Sequence, residues 1–558
     1  MNRSLTLNYG LRMGWYAQWN PRSDEASNFE PVLFDPAKAQ VLYTPFCVGG
    51  TPAIGTACAT ANRRAQNPVT GELLTNTNLV GSFVPGVGNP NNGLVLAADP
   101  NVPRGFKDPA PIQWEPRFGF AWSPFQNSKT VLRAQGGIYH SSRVGGGTNG
   151  GPPTGNPPFQ RTVTIDFGTI DNLANLIGTS LLRPTALRAL ERRTHTATIY
   201  NFSMGIQREI GYGTILEVSY VGSLGRHLGE QRNLNAVPDA ARFVDVNPQN
   251  RNPFSTNGAL GDDFLRPYQG YGDINMVMQS GTSNYNGLQV QVNRRYARGF
   301  LFGIAYTWHK TLDYANDDSS DVAFPRPYKA FNYGPADHDQ SHIFTANYIW
   351  DIPGLGRRWD NRVVKALFNG WQLSGTTSLV TGRPKGVGVS YTGDTVTVAA
   401  GQACPIGTIR SSPTQCAVIT DITGGEVNAR PLVLCDPNRE VDAAPDGTPT
   451  FLDASCFARA LVRGEIGNAS RNMIRRPGVI NSDLAFFKNI QLRENLRLQF
   501  RWEMYNIFNH TNFNDIDTDL VYRRDATTGQ YTQTNTRFGQ PITARSPRVM
   551  QGSLRINF

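Results

Sequence analysis

Stretches in which apolar and polar residues alternate recur from one end of this chain to the other. They constrain its fold more than any other feature. The first covers residues 5–15 and the last covers residues 547–558. Successive side chains of a β-strand point to opposite faces, so each stretch predicts a strand with one apolar and one polar face. The stretches between them occupy residues 118–122, 132–138, 200–207, 216–220, 288–293, 300–308, 344–350, 371–379, 484–486 and 496–504.

No apolar run in the chain approaches the roughly 18 residues of a membrane-spanning helix. If the chain crosses a membrane, it therefore does so with strands. Charged residues make up only 17% of the 558 residues, and hydrophobic residues make up 39%. Low charge combined with many aromatic, Gly, Asn and Thr residues suits a sheet with one lipid-facing side.

Short links and long connections alternate between the predicted strands. The short links lie near residues 125, 211, 297, 358 and 492. Short turns at one end and long loops at the other are typical of outer-membrane barrels. The sequence therefore predicts an all-β fold, a transmembrane antiparallel β-barrel of about twelve strands with long extracellular loops. In this prediction the barrel covers residues 1–558, with long connections at 17–115, 141–195, 224–283, 312–339, 382–480 and 509–546.

The last predicted strand sets the expected orientation of the barrel in the membrane. Its apolar positions include Leu554, Ile556 and Phe558, and the sequence stops on that aromatic residue. Bacterial outer-membrane barrels end in this way. The resemblance implies that Leu554, Ile556 and Phe558 form the signal read by the barrel-assembly machinery. If Phe558 lies at the periplasmic end, counting back along the strands places every long connection outside the cell.

The six cysteines all fall in the connections 17–115 and 382–480. None has Cys-x-x-Cys spacing, and no nearby histidine completes a zinc pattern. Local disulfides are the preferred interpretation, which implies an oxidising compartment. Free buried thiols are the alternative. The preferred pairs are Cys47–Cys58, Cys404–Cys416 and Cys435–Cys456.

The formal net charge of +10 does not indicate a nucleic-acid partner. The basic residues are mostly arginine and are spread along the chain. No Lys/Arg run predicts a nucleic-acid-binding tail. Arginine side chains that line a water-filled lumen are the preferred interpretation.

Three polar stretches each admit a ligand site and a simpler alternative. Residues 337–342 contain two histidines among acidic residues. They could form a metal site, but a polar rim where a loop enters a strand is the preferred interpretation. Residues 316–321 offer oxygen ligands for calcium, but a solvated acidic loop is preferred. The Gly-rich residues 145–151 lack the Gly-Lys-Ser/Thr of a phosphate-binding loop, so a flexible loop is preferred.

The sequence predicts neither catalysis nor a cofactor. Glu217 and Glu503 could act as a glycosidase carboxylate pair, yet polar-face charges are expected in a wet lumen. Gly-x-Ser-x-Gly and His-Glu-x-x-His motifs are missing from the sequence. The larger aromatics could stack on a sugar, but interfacial girdles are preferred. They are Trp15, Trp122, Tyr220, Trp308, Trp350 and Trp371.

The chain resembles the barrels of TonB-dependent receptors, and more closely the Oar-like group that carries a carboxypeptidase-regulatory-like domain. The resemblance runs from about residue 3 to the end of the chain. The segments that carry it are 5–12, 116–122, 216–228, 283–290, 467–472, 476–478, 487–489 and 500–510.

This resemblance implies an outer-membrane receptor that imports a large nutrient, such as an oligosaccharide, and that contacts lipid and an extracellular ligand. Such receptors have roughly 22 strands, an N-terminal plug and a TonB-contacting box. The sequence shows no signal peptide, plug or box. We therefore expect a C-terminal part of the barrel, with TonB contact made only through a missing N-terminal part. A non-transporting barrel for adhesion or signalling is the alternative.

Overall fold

The structure of this chain is a computed structural model. It describes residues 4–16, 20–53, 55–125, 129–141, 153–161, 163–164, 181–193, 195–256, 258–315, 322–323, 328–354, 361–400, 402, 404–405, 408–412, 414–418, 422–439, 441–460, 464–493, 496–525 and 527–558. The stretches 145–151 and 316–321, which were considered above as a flexible loop and a calcium site, lie outside the described residues.

Among the described residues, twelve strands form the antiparallel path of a fourteen-stranded sheet, and each strand of the path pairs with the next one. The other two strands of this sheet are Thr185–Leu190, which pairs in parallel with Tyr271–Ala297, and Gly334–Pro335, which pairs with Phe300–Asp313. Each predicted strand corresponds to one of the twelve, so the predicted antiparallel β architecture is confirmed. The path ends at β1 and β12, which do not pair with each other within the described residues. The strands are β1 (Leu5–Gly14), β2 (Gln113–Trp122), β3 (Thr130–Ser141), β4 (Ala197–Gly211), β5 (Thr214–Asn233), β6 (Tyr271–Ala297), β7 (Phe300–Asp313), β8 (His342–Asp351), β9 (Trp371–Val380), β10 (Val479–Arg493), β11 (Leu496–Tyr505) and β12 (Val549–Asn557).

The pairing register places the alternating apolar positions from which the twelve strands were predicted on one face of the sheet. On β1 and β2, Tyr9 lies opposite Phe118. At the other end of the path, Phe500 on β11 lies opposite Leu554 on β12. A shift by one residue in any strand would move its apolar side chains to the other face, so the alternation specifies the register. We call the two sides of the sheet the apolar face and the polar face.

Two of the short links are two-residue hairpin turns. Tyr212 and Gly213 have φ values of 53° and 68°, and Arg298 and Gly299 have φ values of 53° and 76°. Positive φ at both central residues is the type I′ geometry, which matches the twist of the flanking strands. Because glycine adopts positive φ at little cost, it occupies the second position in both turns. We call this end of the sheet the turn end and the opposite end the loop end.

The strands β5 and β6 are longer than a membrane crossing requires. They have 20 and 27 residues, whereas a tilted transmembrane strand needs roughly 9–11. The predicted connection 224–283 is therefore wrong in its bounds, because strand structure continues to Asn233 and resumes at Tyr271. The sequence pattern missed these extensions because both faces are covered there, so alternation no longer marks the strand.

The connections at the loop end fold into a layer that we call the cap. Its residues are the described parts of 15–112, 142–196, 234–270, 314–341, 381–478 and 506–548, with the projecting ends of β5 and β6. Its strands are Ser27–Phe29, Thr44–Cys47, Arg63–Gln66, Leu73–Leu74, Leu94–Leu96, Val163–Thr164, Leu181–Leu182, Thr185–Leu190, Gly334–Pro335, Pro384–Lys385, Gly388–Gly393, Val396–Thr397, Thr408–Ser412, Gln415–Val418, Leu432–Val433, Phe457–Ala458, Ile474–Arg475, Phe513–Ile516, Asp519–Arg524, Tyr531–Gln533 and Pro541–Ala544.

The helices are short. The α-helices are α1 (Asp262–Leu265) and α2 (Tyr328–Asn332) in the cap and α3 (Arg362–Phe368) at the turn end. The side chain of Asn361 caps α3 by accepting hydrogen bonds from two backbone amides of its first turn. Among the described residues, no helix combines the length and apolar character needed to cross a membrane. The 3₁₀ turns are Pro31–Leu33, Pro36–Lys38, Thr60–Asn62, Thr77–Leu79, Pro153–Gly155, Pro248–Asn250 and Ala454–Cys456.

The cap has hydrophobic cores of its own. Its largest core joins residues from three different connections, because Phe243, Ile422 and Leu520 are all buried in it. A second core packs Phe29 and Leu187 against Ile274 on the projecting part of β6. Burial of apolar side chains from separate connections holds the cap together. The loop end is therefore a folded layer rather than a set of independent loops.

Three disulfides brace the cap. They join Cys47 to Cys58, Cys404 to Cys416 and Cys435 to Cys456, which are the pairs preferred from the sequence. Cys456 is fully buried and directly precedes Phe457, a member of the largest cap core. This disulfide therefore ties a segment of 21 residues to that core.

We expect the double substitution Cys435→Ser and Cys456→Ser to lower the local stability of the largest cap core by about 2 kcal/mol, because the loop then gains conformational entropy when it opens. Limited proteolysis should cut residues 422–474 faster than in the protein without these substitutions. The matched control is the pair Cys47→Ser and Cys58→Ser, whose cysteines lie outside that core. Equal cleavage rates in the two double variants would contradict this expectation.

Candidate ligand-passage surface

An open groove runs along the polar face over β1 to β5 and encloses about 980 Å³. Small residues form part of its lining, including Gly10, Gly119 and Gly205, and they leave room between the longer polar side chains. Those longer side chains are Arg117, Arg133, Gln135, Tyr139, Gln207 and Glu217. The groove thus offers guanidinium, amide and carboxylate groups along the polar face of the sheet.

A buried acid organises the loop end of this groove. The side chain of Glu115 is 1% exposed, and its Oε2 lies 3.6 Å from Arg12 Nη1 and 3.5 Å from Arg117 Nη2. The hydroxyl of Tyr16 and the backbone amide of His140 donate hydrogen bonds to Oε1. One carboxylate therefore holds two guanidinium groups, so the mouth of the groove keeps a positive charge.

The ring of Tyr139 covers the groove beside this cluster. A Cβ atom added at Gly137 would lie 3.1 Å from that ring, so glycine allows the ring to lie flat on the sheet. The guanidinium carbon of Arg117 is 4.7 Å from the ring centroid, which is a cation–π distance. A partly exposed aromatic ring with a neighbouring cation is a surface on which a sugar or a planar solute can stack.

A second buried acid joins the sheet to the cap. Asp339 is fully buried and pairs with Arg475, and its Oδ1 accepts a hydrogen bond of 2.6 Å from the backbone amide of Thr311 on β7. His309 Nδ1 is 3.6 Å from the same oxygen. Asp339 and Arg475 both belong to the cap, and the hydrogen bond from Thr311 to Asp339 links this pair to the loop end of β7.

Two charged groups inside the cap show how burial shifts proton affinity there. Lys107 is 3% exposed, and burial lowers its pKa to about 8. Burial would raise the pKa of Asp515, but its hydrogen bond with Lys385 and the nearby charge of Arg476 hold that pKa below the ordinary value. The Lys385 Nζ is 2.9 Å and the Arg476 Nε is 3.0 Å from Asp515 Oδ1.

The residues of the predicted assembly signal lie at one edge of the sheet. Leu554, Ile556 and Phe558 are 63%, 57% and 99% exposed on the apolar face, and β12 pairs only with β11 in the described sheet. Their role in assembly remains a prediction. The structure gives them an accessible edge strand, which is what a strand-pairing partner would require.

The other residues considered as sites are dispersed. Glu217 lies on β5 and Glu503 on β11, six strands along the sheet, and Glu503 accepts hydrogen bonds from Arg501 and Gln551. In residues 337–342, Asp339 is committed to Arg475, and His342 Nδ1 lies 2.8 Å from the hydroxyl of Tyr306. Among the described residues, no three His, Cys, Asp or Glu side chains gather as a metal site.

The sequence analysis did not single out Glu115, Lys107 or Arg475. Glu115 carried one usable signal, since it is an acid at a polar-face position next to the apolar Trp114. The sequence carried no signal for the long-range pairings of these residues, because Tyr16 is 99 residues from Glu115 and Asp339 is 136 residues from Arg475.

A family model described as "Outer membrane beta barrel domain" matches residues 1–551. Solved structures of outer-membrane receptors are also similar, at about two fifths of their own length. The outer membrane transporter YddB from Escherichia coli is 10% identical with a TM-score of 0.36, covering 80% of this chain and 41% of that one. The ferric-catecholate import receptor Fiu from the same species is 9% identical with a TM-score of 0.32, covering 100% and 43%. No curated protein matches the chain.

Proposed function

Because the chain belongs to the outer membrane beta barrel domain family, we propose that it is the barrel part of a receptor that takes up a large nutrient, such as an oligosaccharide, across the bacterial outer membrane. One observation carries this proposal. The path of twelve strands is apolar on one face, for lipid, and polar on the other, where the groove lies, and its loop end carries a folded cap. The groove binds by hydrogen bonding and stacking and needs no catalytic group.

The proposed orientation places the cap outside the cell and the turn end in the periplasm. The three disulfides support it, since they all lie in the cap and suit an oxidising exterior. The exposed apolar edge of β12 supports a role for Leu554, Ile556 and Phe558 in recognition by the barrel-assembly machinery. Lipid is the partner of the apolar face.

Further strands are needed at the edge of β1. Unpaired backbone groups inside a bilayer cost several kcal/mol each, and β1 pairs only with β2 within the described residues. We therefore infer that the parent receptor pairs β1 with strands preceding residue 4. We also propose that the parent receptor belongs to the Oar-like group of TonB-dependent receptors.

A second candidate function is surface adhesion or signalling without transport. The packed cap favours it, because a disulfide-braced layer with several hydrophobic cores is suited to binding another surface. Both candidates use the cap for capture, but only uptake uses the groove beneath it.

Uptake of fluorescent oligosaccharides of increasing length by cells that express the parent receptor separates the two candidates. We expect the substitutions Arg133→Ala and Gln207→Ala, which alter the groove, to reduce uptake at least several-fold and to leave capture at the cell surface unchanged. The matched control is Met204→Ala on the apolar face of the same strand as Gln207. Surface capture without uptake in the parent would favour adhesion, and failure of the groove variants to reduce uptake would contradict the proposed path.

A further inference from the structure

A second cleft opens on the apolar face, beneath the cap, and encloses about 830 Å³. We call it the overhang cleft. Its inner wall is formed by Tyr306, Phe344, Leu379 and Ile480, which lie side by side on β7, β8, β9 and β10. These are apolar-face positions, so the cleft opens toward the same side as the lipid-facing surface.

The outer wall of the overhang cleft belongs to the cap. Phe451 and Phe513 contact each other edge to face, with ring centroids 5.9 Å apart, and both line the cleft. On the opposite wall, Leu379 is 40% and Ile480 is 48% exposed. Two apolar walls that face each other across open space form a slot for a hydrocarbon chain, and the slot is continuous with the lipid-facing surface.

The rim of the overhang cleft is basic. Arg476 and His510 line it, and His510 is exposed. Arg476 shares the carboxylate of Asp515 with Lys385. Because one carboxylate faces two cations, the rim retains a net positive charge. An apolar slot beside a basic rim matches an amphiphile with an anionic headgroup.

We propose that the overhang cleft binds a phosphorylated lipid of the outer leaflet. An acyl chain lies between the sheet wall and the two phenylalanine rings, and a headgroup phosphate lies at Arg476 and His510. This inference rests on the proposed function for one point only, the orientation that places the cap outside the cell. Bound lipid would then cover the junction between sheet and cap on the membrane side.

The test uses the full chain, folded in detergent micelles, and lipid A carrying both phosphates as the probe. Native mass spectrometry counts the bound lipid. We expect one lipid A per chain, and Arg476→Ala should weaken binding about tenfold, because it removes a charge-assisted contact. Its matched control is Arg523→Ala, which removes an arginine of the cap that neither lines the cleft nor pairs with Asp515.

A second pair of variants tests the slot. Leu379→Trp should fill the cleft and reduce binding about tenfold, whereas Met204→Trp adds the same side chain to an exposed apolar-face position of β4 outside the cleft and should have no effect. The proposal is overturned if dephosphorylated lipid A binds equally well, or if each variant behaves like its control. Lipid binding in micelles is measured without transport. A failed uptake assay would therefore contradict the proposed function without changing the result of this binding test.

Discussion

Replacing Met204 by arginine should destabilise the membrane-inserted protein by about 2–4 kcal/mol, because the new charge would lie on the lipid side of the sheet. Met204 is 62% exposed in the middle of β4, between Ala134 and Tyr220 on the neighbouring strands. It makes few contacts that its loss would remove. The measured quantity is the free energy of unfolding from phospholipid vesicles in urea.

The control for this substitution is its chain neighbour on the other face. Ser203 lines the polar groove, so Ser203→Arg places the same charge in water and should change the free energy of unfolding by less than about 1 kcal/mol. The comparison separates the effect of the face on which the charge lies from the effect of adding a charge to the protein. Equal destabilisation by both substitutions would show that the assignment of the two faces is wrong.

Replacing Arg475 by methionine should destabilise the junction between sheet and cap by about 3–5 kcal/mol. The substitution keeps most of the side-chain volume but leaves Asp339, which is fully buried, without its cation. Hydrogen exchange should then increase in residues 309–313 and 336–341, because the amide of Thr311 is bonded to the same carboxylate.

The pair of Arg523 and Asp394 provides the matched control. It is also an arginine–aspartate contact in the cap, at 3.2 Å, but its side chains are 55% and 64% exposed. Water screens such a pair, so Arg523→Met should cost less than about 1 kcal/mol. If Arg475→Met changes exchange no more than Arg523→Met does, Asp339 is not the anchor of the cap.

The sheet is predictable from the sequence because the alternation of apolar and polar residues in each strand shows which side chains lie on which face. The alternation in residues 5–15 predicts β1 from local information alone, and the same is true of β11 and β12. The hairpin turns at residues 212–213 and 298–299 add a local signal, since each ends in glycine with positive φ. The projecting parts of β5 and β6 escaped prediction, because their surroundings come from other connections.

The candidate site was predictable only in its chemical character. Alternation places Arg117, Arg133 and Glu217 on the polar face, which is sufficient to predict a wet, charged surface. It does not indicate that Glu115 is buried, since this depends on Tyr16 and His140 from other segments. Cysteine spacing indicated the preferred disulfides, because each pair is close in sequence.

The sequence by itself thus determined the strands, the two faces of the sheet and the local cysteine pairs, because these follow from neighbouring residues and the period of two along a strand. The tertiary structure alone decided the cap, the buried acids and the overhang cleft. These arise where connections far apart in the chain pack together, as Phe451 and Phe513 do over β9 and β10. Irregular connections carry no repeating pattern, so the local sequence does not predict which of their side chains contact each other.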